Sequence, residues 1–300
     1  EKIILSKKKD IKSNEQWIFQ LKHCDGYLDK KEAFNKLKQV KDTNASKAII
    51  EMLDFHYYDI KNLALMSLNN SVKDYPTIVE AKLIKLSKDK KSSVRSNAIK
   101  YLAKYFPENS ALNSIIETGL KDKSYKVMGT SLKQLAKSNP EKAMEIAKSL
   151  ENEKSQSIKN LIAGIYAKNG TKENHDFFKT TLFETSGYGK YGLLNYYKMY
   201  LRNLDEKDIS GSHKIYEDVA KNESTWWIKM VGYNGLKDIK SKYSTRINQL
   251  ETKLTTTKDV MKKSSIERDI NYFRTEINKV NAIYNSAKKA EKDARVLEYL

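Results

Sequence analysis

The residue types that could carry out catalysis do not occur at the spacings of known catalytic motifs. None of the four histidines (His23, His56, His175 and His213) is followed by Glu or lies four residues from another His, so the H-E-x-x-H zinc helix is absent. The glycine patterns that cradle phosphates or form a nucleophile elbow are absent too. Cys24 is the single cysteine and is expected to be a packed apolar side chain. We therefore predict no catalytic residue, no metal site and no cofactor in this chain.

Lysine dominates the charge. The sequence has 56 Lys and Arg against 38 Asp and Glu, a formal net charge of +18 at pH 7, and only six of the cations are arginines. A large positive charge favours nucleic acid or an acidic surface as the partner. Lysine lacks the bidentate fork with which arginine recognises phosphate, so the composition argues against nucleic acid.

Glycine and proline, the residues that interrupt helices, are rare. The chain of 300 residues contains 11 Gly and 3 Pro, which predicts a mostly helical protein without long linkers. Hydrophobic residues make up 39% of the chain, which excludes intrinsic disorder. A mean hydropathy of −0.70 with 31% charged residues excludes a membrane span, and we expect no membrane partner.

An apolar spacing recurs six times along the chain. Each unit has an anchor residue, with small or apolar residues four, five and eight positions later, all on one face of a helix. The anchors are Ile60, Val94, Val127, Ile158, Tyr191 and Ile228. A second apolar-periodic stretch precedes each anchor, so each unit is a helical hairpin that must stack on its neighbours. The pattern predicts an all-α, right-handed solenoid of HEAT/ARM-like helical hairpins, and Asp89 to Arg95 with Ala98 and Leu102 resembles the HEAT repeat.

The ends of the chain differ from this array. We predict that residues 1–12, with the apolar run Lys2 to Leu5, are the remnant of a preceding β domain. Residues 13–43 are predicted entry helices, 44–243 six hairpins, and 244–300 a long terminal helical hairpin with apolar residues at alternating steps of four and three. The chain starts with Glu rather than Met, so we expect a processed product or an excised segment.

Two groups of residues are candidate binding contacts. Positions six and ten after an anchor point away from the buried stripe, and we expect the lysines there to form a positive concave face, the alternative being an ordinary solvated helix face. These lysines are Lys100, Lys104, Lys133, Lys137 and Lys168. The candidate aromatic contacts are Tyr197, at position six of the fifth unit, and the adjacent pair Trp226 and Trp227, which more often pack between hairpins and cover a helix end.

The layout as a whole resembles a known family. Ser13 to Leu21, Tyr27 to Phe34, six helical hairpins and then Trp226 to Lys229 resemble the C-terminal helical region of bacterial zinc aminopeptidases of the aminopeptidase N (gluzincin) type. The resemblance implies a non-catalytic domain that caps the active site of a missing zinc-containing part and restricts peptide access. Its partners would be the catalytic domain of the same polypeptide and peptide substrates, with the lysines contacting acidic groups of the peptide.

Neither the family's zinc motif nor its Gly-x-Met-Glu-Asn motif occurs here, so no catalytic residue can be carried over. Two other functions remain open. One is a stand-alone HEAT-like scaffold that binds a protein in its groove. The other is a basic HEAT-like nucleic-acid-binding protein, similar to the helical-repeat alkylpurine DNA glycosylases. The sequence leaves the compartment and the oligomeric state open.

Overall fold

The computed structural model describes residues 12–300, and within that range the chain is helical with no strand. The predicted β remnant, residues 1–12, lies outside the described residues except for Lys12. In chain order the helices are α1 (Asn14–His23), α2 (Tyr27–Leu37), α3 (Thr43–Glu51), α4 (Tyr58–Leu65), α5 (Ser71–Asp74), α6 (Pro76–Leu86), α7 (Ser92–Tyr105), α8 (Leu112–Leu120), α9 (Tyr125–Ser138), α10 (Pro140–Ser149), α11 (Gln156–Asn169), α12 (His175–Glu184), α13 (Gly187–Asn203), α14 (His213–Asn222), α15 (Trp226–Thr256), α16 (Val260–Ala290) and α17 (Ala294–Leu297). Short 3-10 turns at Met52–Asp54 and Lys172–Asn174 complete the list.

The chain divides into two compact units, which meet in sequence at Asn139 and Pro140. Unit 1 holds the entry helices α1 and α2, followed by the hairpins α3/α4, α6/α7 and α8/α9. Unit 2 holds the hairpins α10/α11, α12/α13 and α14/α15, followed by α16 and α17. Each unit is therefore built from consecutive helical hairpins, and the predicted all-α, HEAT-like class is confirmed.

Helix α1 begins with a capping box at Ser13. The Ser13 hydroxyl accepts from the Gln16 amide (3.4 Å) while the Gln16 side chain accepts from the Ser13 amide (2.8 Å), so two amide groups at the start of the helix gain partners. At the other end of α1, the buried ammonium of Lys30 donates to the Leu21 carbonyl (2.6 Å). This bond satisfies one of the carbonyls that a helix end leaves free.

The predicted apolar stripe forms the core of the second helix in five of the six hairpins. In α7 the buried residues include Val94, Ala98, Ile99 and Leu102, spaced as the pattern requires. The same four positions are buried in α9 and α11, and in the first turns of α15. In the first hairpin they are buried from Ile60 to Leu68, just beyond the end of α4. Burial of this stripe against neighbouring helices is the main source of stability in such repeats.

The fifth hairpin departs from the predicted register. Tyr191 and Met199, the predicted first and last residues of its stripe, are 40% and 42% exposed. The buried residues of α13 are Leu193, Leu194, Tyr197, Tyr200 and Leu201. Their spacing places the anchor at Gly189, two residues earlier than predicted. A glycine carries no apolar signal, and the tyrosines nearby imitate the pattern in the wrong register.

The last hairpin is continuous with the array. Helix α15 runs for 31 residues without a break at the predicted boundary between 243 and 244. Its buried stripe continues through Ile239, Tyr243, Ile247 and Leu250 and packs against α16, where Ile266, Ile270, Phe273 and Val280 are buried. No helix within residues 12–300 has the length and apolar character needed to cross a membrane.

Candidate functional site

Ion pairs connect successive repeats in a regular way. In five repeats the residue directly after the anchor is a cation. In the first four of these repeats, that cation pairs with an acid that lies five residues before the next anchor. The pairs are Lys61–Asp89 (2.7 Å), Arg95–Asp122 (2.8 Å), Lys159–Glu184 (2.6 Å) and Lys190–Glu223 (3.1 Å), and Lys229 pairs with Glu291 after α16 (3.1 Å). The corrected anchor at Gly189 brings Lys190 and Glu184 into this series. We call these contacts the inter-repeat ion pairs.

Arg95 shows how such a pair is built. Its Nε and Nη2 atoms donate to the two oxygens of Asp122 (2.8 and 2.9 Å), and Nη1 donates to the Asp89 carbonyl (2.8 Å). Asp122 also accepts from the Ser124 amide (2.8 Å), close to the start of α9. The hydrogen bonds from Arg95 hold the pKa of Asp122 below its usual value. Asp122 therefore stabilises the turn before α9 and also links two neighbouring repeats.

The five predicted lysines belong to a different class of cation. Lys100 and Lys104 on α7, Lys133 and Lys137 on α9, and Lys168 on α11 are all exposed. Among the described residues, none of the five contacts a carboxylate; Lys104 donates to the Tyr105 hydroxyl (3.0 Å) and Lys137 to the Gln134 amide oxygen (3.0 Å). Helices α7 and α9 pack side by side in unit 1. Four unneutralised lysines therefore occupy equivalent positions on neighbouring helices, and Lys168 takes the same position in unit 2.

Two tyrosines accompany the lysines of α7. Tyr101 and Tyr105 stack with their ring centres 6.0 Å apart. The Lys100 ammonium lies 5.2 Å from the centre of the Tyr101 ring, and the Lys104 ammonium lies 4.5 Å from that of Tyr105. These distances suit cation–π attraction. We call Lys100, Lys104, Lys133 and Lys137 together with these two tyrosines the lysine face.

The tyrosines were not among the predicted contacts, although their spacing of four residues beside each lysine is visible in the sequence. Burial raises the pKa of Tyr101, so its hydroxyl carries no negative charge near neutral pH. The lysine face therefore offers ammonium groups and the Tyr101 hydroxyl as donors, whereas the Tyr105 hydroxyl already donates to the Asn69 side chain. That combination suits the binding of anionic groups.

The prediction for Tyr197 as an aromatic contact is wrong. Its side chain is 0% exposed and lies in the core of unit 2 between Phe178, Tyr200 and Tyr216. Its hydroxyl donates to the Ser212 carbonyl (3.3 Å), and burial raises its pKa well above the usual value. The two-residue shift in register moved this ring from the predicted outer face to the buried stripe.

The two tryptophans have separate roles. Trp226 stacks on Tyr299 (centres 6.4 Å apart) and lies 5.7 Å from the Arg295 guanidinium, so it closes the end of α15 against the last residues of the chain. Trp227 contacts Tyr188 and Tyr191 of α13 at 5.1 and 5.3 Å. Both indoles are half-buried, and Tyr188 beside Trp227 is 84% exposed. A role in binding stays a prediction for both tryptophans.

Unit 2 also contains a cleft of 670 Å³ between α12 and α14. Leu182, Phe183, Ile215 and Val219 form its apolar part. Three lysines and three carboxylates line it as well, so the two charges balance: Lys179, Lys190 and Lys214 against Asp176, Glu184 and Asp218. Its histidine, His175, stands beside the buried Tyr197, and burial lowers the pKa of the imidazole. Within residues 12–300, no group of three or more His, Cys, Asp or Glu side chains is placed to hold a metal ion.

Comparisons with known proteins do not place the chain in a family. No family model matches it, and no curated protein matches it. Among solved structures, it is similar to the complex of CpcE and CpcF of phycocyanin lyase from Nostoc sp. PCC7120. The two share 14% sequence identity over 90% of this chain and 98% of that chain, with a TM-score of 0.42. A likeness of this size carries no argument about activity.

These comparisons overturn the resemblance to the zinc aminopeptidases. A solved structure that it resembles is a lyase complex rather than an aminopeptidase, and no matching family or curated protein supports a peptidase. The expected identity as the C-terminal part of a metallopeptidase is therefore wrong. The motifs behind it have simpler explanations in packing, since Trp226 contacts the end of this same chain.

Proposed function

We propose that this chain is a HEAT-like scaffold whose lysine face binds an acidic segment of a protein partner. One observation carries the proposal: the cations that follow the anchors are neutralised by the inter-repeat ion pairs, whereas the four lysines of the lysine face are left without carboxylates. Like charges held close together without counterions oppose folding through mutual repulsion. Carboxylates from a partner would relieve that repulsion and gain charge-assisted hydrogen bonds.

The chemistry of the face favours protein over nucleic acid. Lysine binds phosphate as a point charge and without the planar fork of arginine. Single-stranded nucleic acid also needs aromatic rings that are free to stack on bases. On the lysine face, Tyr101 and Tyr105 stack on each other and are covered by Lys100 and Lys104. An acidic peptide needs only the exposed ammonium groups.

Fluorescence anisotropy with labelled poly-L-glutamate tests this proposal. The variant K100S/K104S/K133S/K137S is expected to bind about tenfold more weakly, because four exposed charge contacts at roughly 0.3–0.5 kcal/mol each add to that factor. The matched control, K47S/K73S/K88S/K121S, removes the same charge from exposed lysines elsewhere in unit 1 and is expected to bind like the parent chain.

Two results would contradict the proposal. One is equal weakening in both variants, which would mean that poly-L-glutamate responds to net charge alone. The other is tight binding of a single-stranded DNA oligonucleotide that depends steeply on salt and is abolished by the lysine-face variant. That result would favour the nucleic-acid function.

A further inference from the structure

The turn between α15 and α16 carries an unusual group of exposed side chains. Val260 and Met261, in the first turn of α16, are 77% and 79% exposed and are the most exposed large aliphatic side chains in the described part of the chain. The two helices that lead to the turn pack against each other, and their buried seam ends at Leu250 and Ile266. The apolar pair therefore stands at the outer end of a helical hairpin, beyond its core.

Lysines surround this apolar pair. Lys253, Lys258, Lys262 and Lys263 are all exposed, and none makes an ion pair within the described residues. The nearest acids have other partners: Asp259 caps α16 by accepting from the Lys262 amide (3.0 Å), and Glu251 pairs with Arg274 (2.8 Å). We call residues 253–263 the hairpin tip. It combines a positive rim with an apolar end.

We propose that the hairpin tip docks onto the surface of an anionic lipid bilayer. Val260 and Met261 would enter the boundary between headgroups and acyl chains, and the four lysines would remain among the anionic headgroups. A convex tip with two adjacent apolar side chains offers no groove to a folded partner, whereas a fluid lipid surface adapts to it. The prediction that the chain has no membrane partner rested on spanning segments, and surface docking requires none.

The energetic contributions favour a reversible contact. Lysines near an anionic surface each add to the attraction, and their effect falls off within a Debye length, about 8 Å at physiological ionic strength. Insertion of the apolar pair adds a contribution that salt does not screen. Binding should therefore need both anionic lipid and the two apolar side chains.

Vesicle flotation tests the proposal with the full chain. Vesicles of phosphatidylcholine with phosphatidylserine are expected to carry the protein upward, and vesicles of phosphatidylcholine alone are not. The variant V260S/M261S is expected to bind about tenfold more weakly because it loses apolar burial. The matched control L28S/I78S removes two exposed apolar side chains elsewhere and should bind like the parent chain.

A probe in the tip separates insertion from general charge attraction. In a C24S background, an environment-sensitive fluorophore on M261C should shift to shorter wavelength on anionic vesicles and be quenched by lipids brominated in their acyl chains. The same fluorophore on K47C should do neither.

Three results would overturn the proposal. They are absence of binding to anionic vesicles at low salt, equal binding by V260S/M261S and the parent chain, and a probe at position 261 that stays in water while the protein floats with the vesicles. If the protein does not bind the vesicles but poly-L-glutamate shields the probe at position 261 from water, the partner of the tip is an acidic protein instead.

Discussion

Arg95 and Asp122 form the most fully bonded of the inter-repeat ion pairs. The guanidinium reaches both carboxylate oxygens and a carbonyl of the preceding turn, and both side chains are largely buried. A largely buried pair of this geometry contributes more than an exposed one, because losing one partner leaves the other without its hydrogen bonds.

We predict that Arg95→Met lowers the free energy of unfolding of the chain by roughly 1.5–3 kcal/mol. Arg95→Lys should lie between this variant and the parent, since the charge is kept but the fork is lost. Arg246→Met is the control: its Nε lies 3.6 Å from Glu206 in an exposed contact, and the expected change is below about 0.5 kcal/mol. Urea unfolding measures all three, and an equal loss in Arg95→Met and Arg246→Met would refute the structural role of the pair.

The inter-repeat ion pairs also predict how stability changes with pH. Hydrogen bonds from Arg95 lower the pKa of Asp122. At Asp89 burial acts to raise the pKa, but the bonds from Lys61 and the Lys91 amide, together with the charges of Lys61 and Arg95, outweigh it. A carboxyl whose pKa is lowered by folding stabilises the protein above its unfolded pKa, about 3.9, and this stabilisation is lost as the pH falls through the folded pKa.

We therefore expect the urea midpoint to fall as the pH is lowered from about 5 towards 3. The variant R95M/D122N should show a shallower fall, because it lacks one of the titrating pairs. His175, whose pKa burial lowers, adds to the loss in both proteins equally. Parallel pH profiles for the two proteins would show that the pair does not contribute to acid sensitivity.

At the scale of the helices, glycine marks where two of them approach closely. A Cβ on Gly232 of α15 would lie 2.5 Å from the amide nitrogen of Ala220 and 2.8 Å from the carbonyl of Tyr216, both in α14. Backbone atoms cannot move aside as a flexible side chain can. On Gly192 of α13, a Cβ would meet no atom within 4 Å.

We predict opposite effects for the two alanine substitutions. Gly232→Ala should destabilise the chain by roughly 1–3 kcal/mol, because α14 and α15 must separate. Gly192→Ala should stabilise it by about 0.5–1 kcal/mol, because a helix interior favours alanine. Thermal unfolding of both variants tests this pair, and stabilisation by both would show that helix propensity, not the approach of α15 to α14, determines the outcome.

The sequence predicts the buried face of a helix correctly where the apolar spacing within that helix is complete. The anchors of α7, α9 and α11 are buried as predicted, because apolar spacing reports directly on the face that a helix buries. In α13 the spacing fails, since Gly189 has no side chain to mark its position and tyrosines occur on both faces. The exposed lysines are visible in the sequence, but their lack of carboxylate partners depends on which residues neighbouring repeats bring together.

For the molecule as a whole, the charge of +18 is divided between cations that hold repeats together and cations that face solvent. Sequence composition gives the sum but not this division. The helical spacing likewise predicts a repeat fold without identifying a family, because any stacked hairpin must bury the same stripe. This explains how the all-α class could be confirmed while the aminopeptidase resemblance was wrong.

We predict that salt weakens poly-L-glutamate binding in proportion to the few lysines in contact and not to the total charge. Plotted as log Kd against log salt concentration, the slope should be about four or less, since each contact that forms releases roughly one counterion. The lysine-face variant should flatten this slope, whereas K47S/K73S/K88S/K121S should keep it. A slope that follows net charge in both variants would contradict the assignment of the lysine face.

The inter-repeat ion pairs have a consequence for how such a chain can change in length. Four of the pairs use the same two positions, a cation after one anchor and an acid five residues before the next, so those joints are electrostatically interchangeable. Removal of residues 89–121 would place Lys61 opposite Asp122 and leave no charge at the new joint unmatched. Duplication of the same stretch would add another matched joint. Whole repeats can therefore be lost or gained in this array at a lower cost in stability than partial ones.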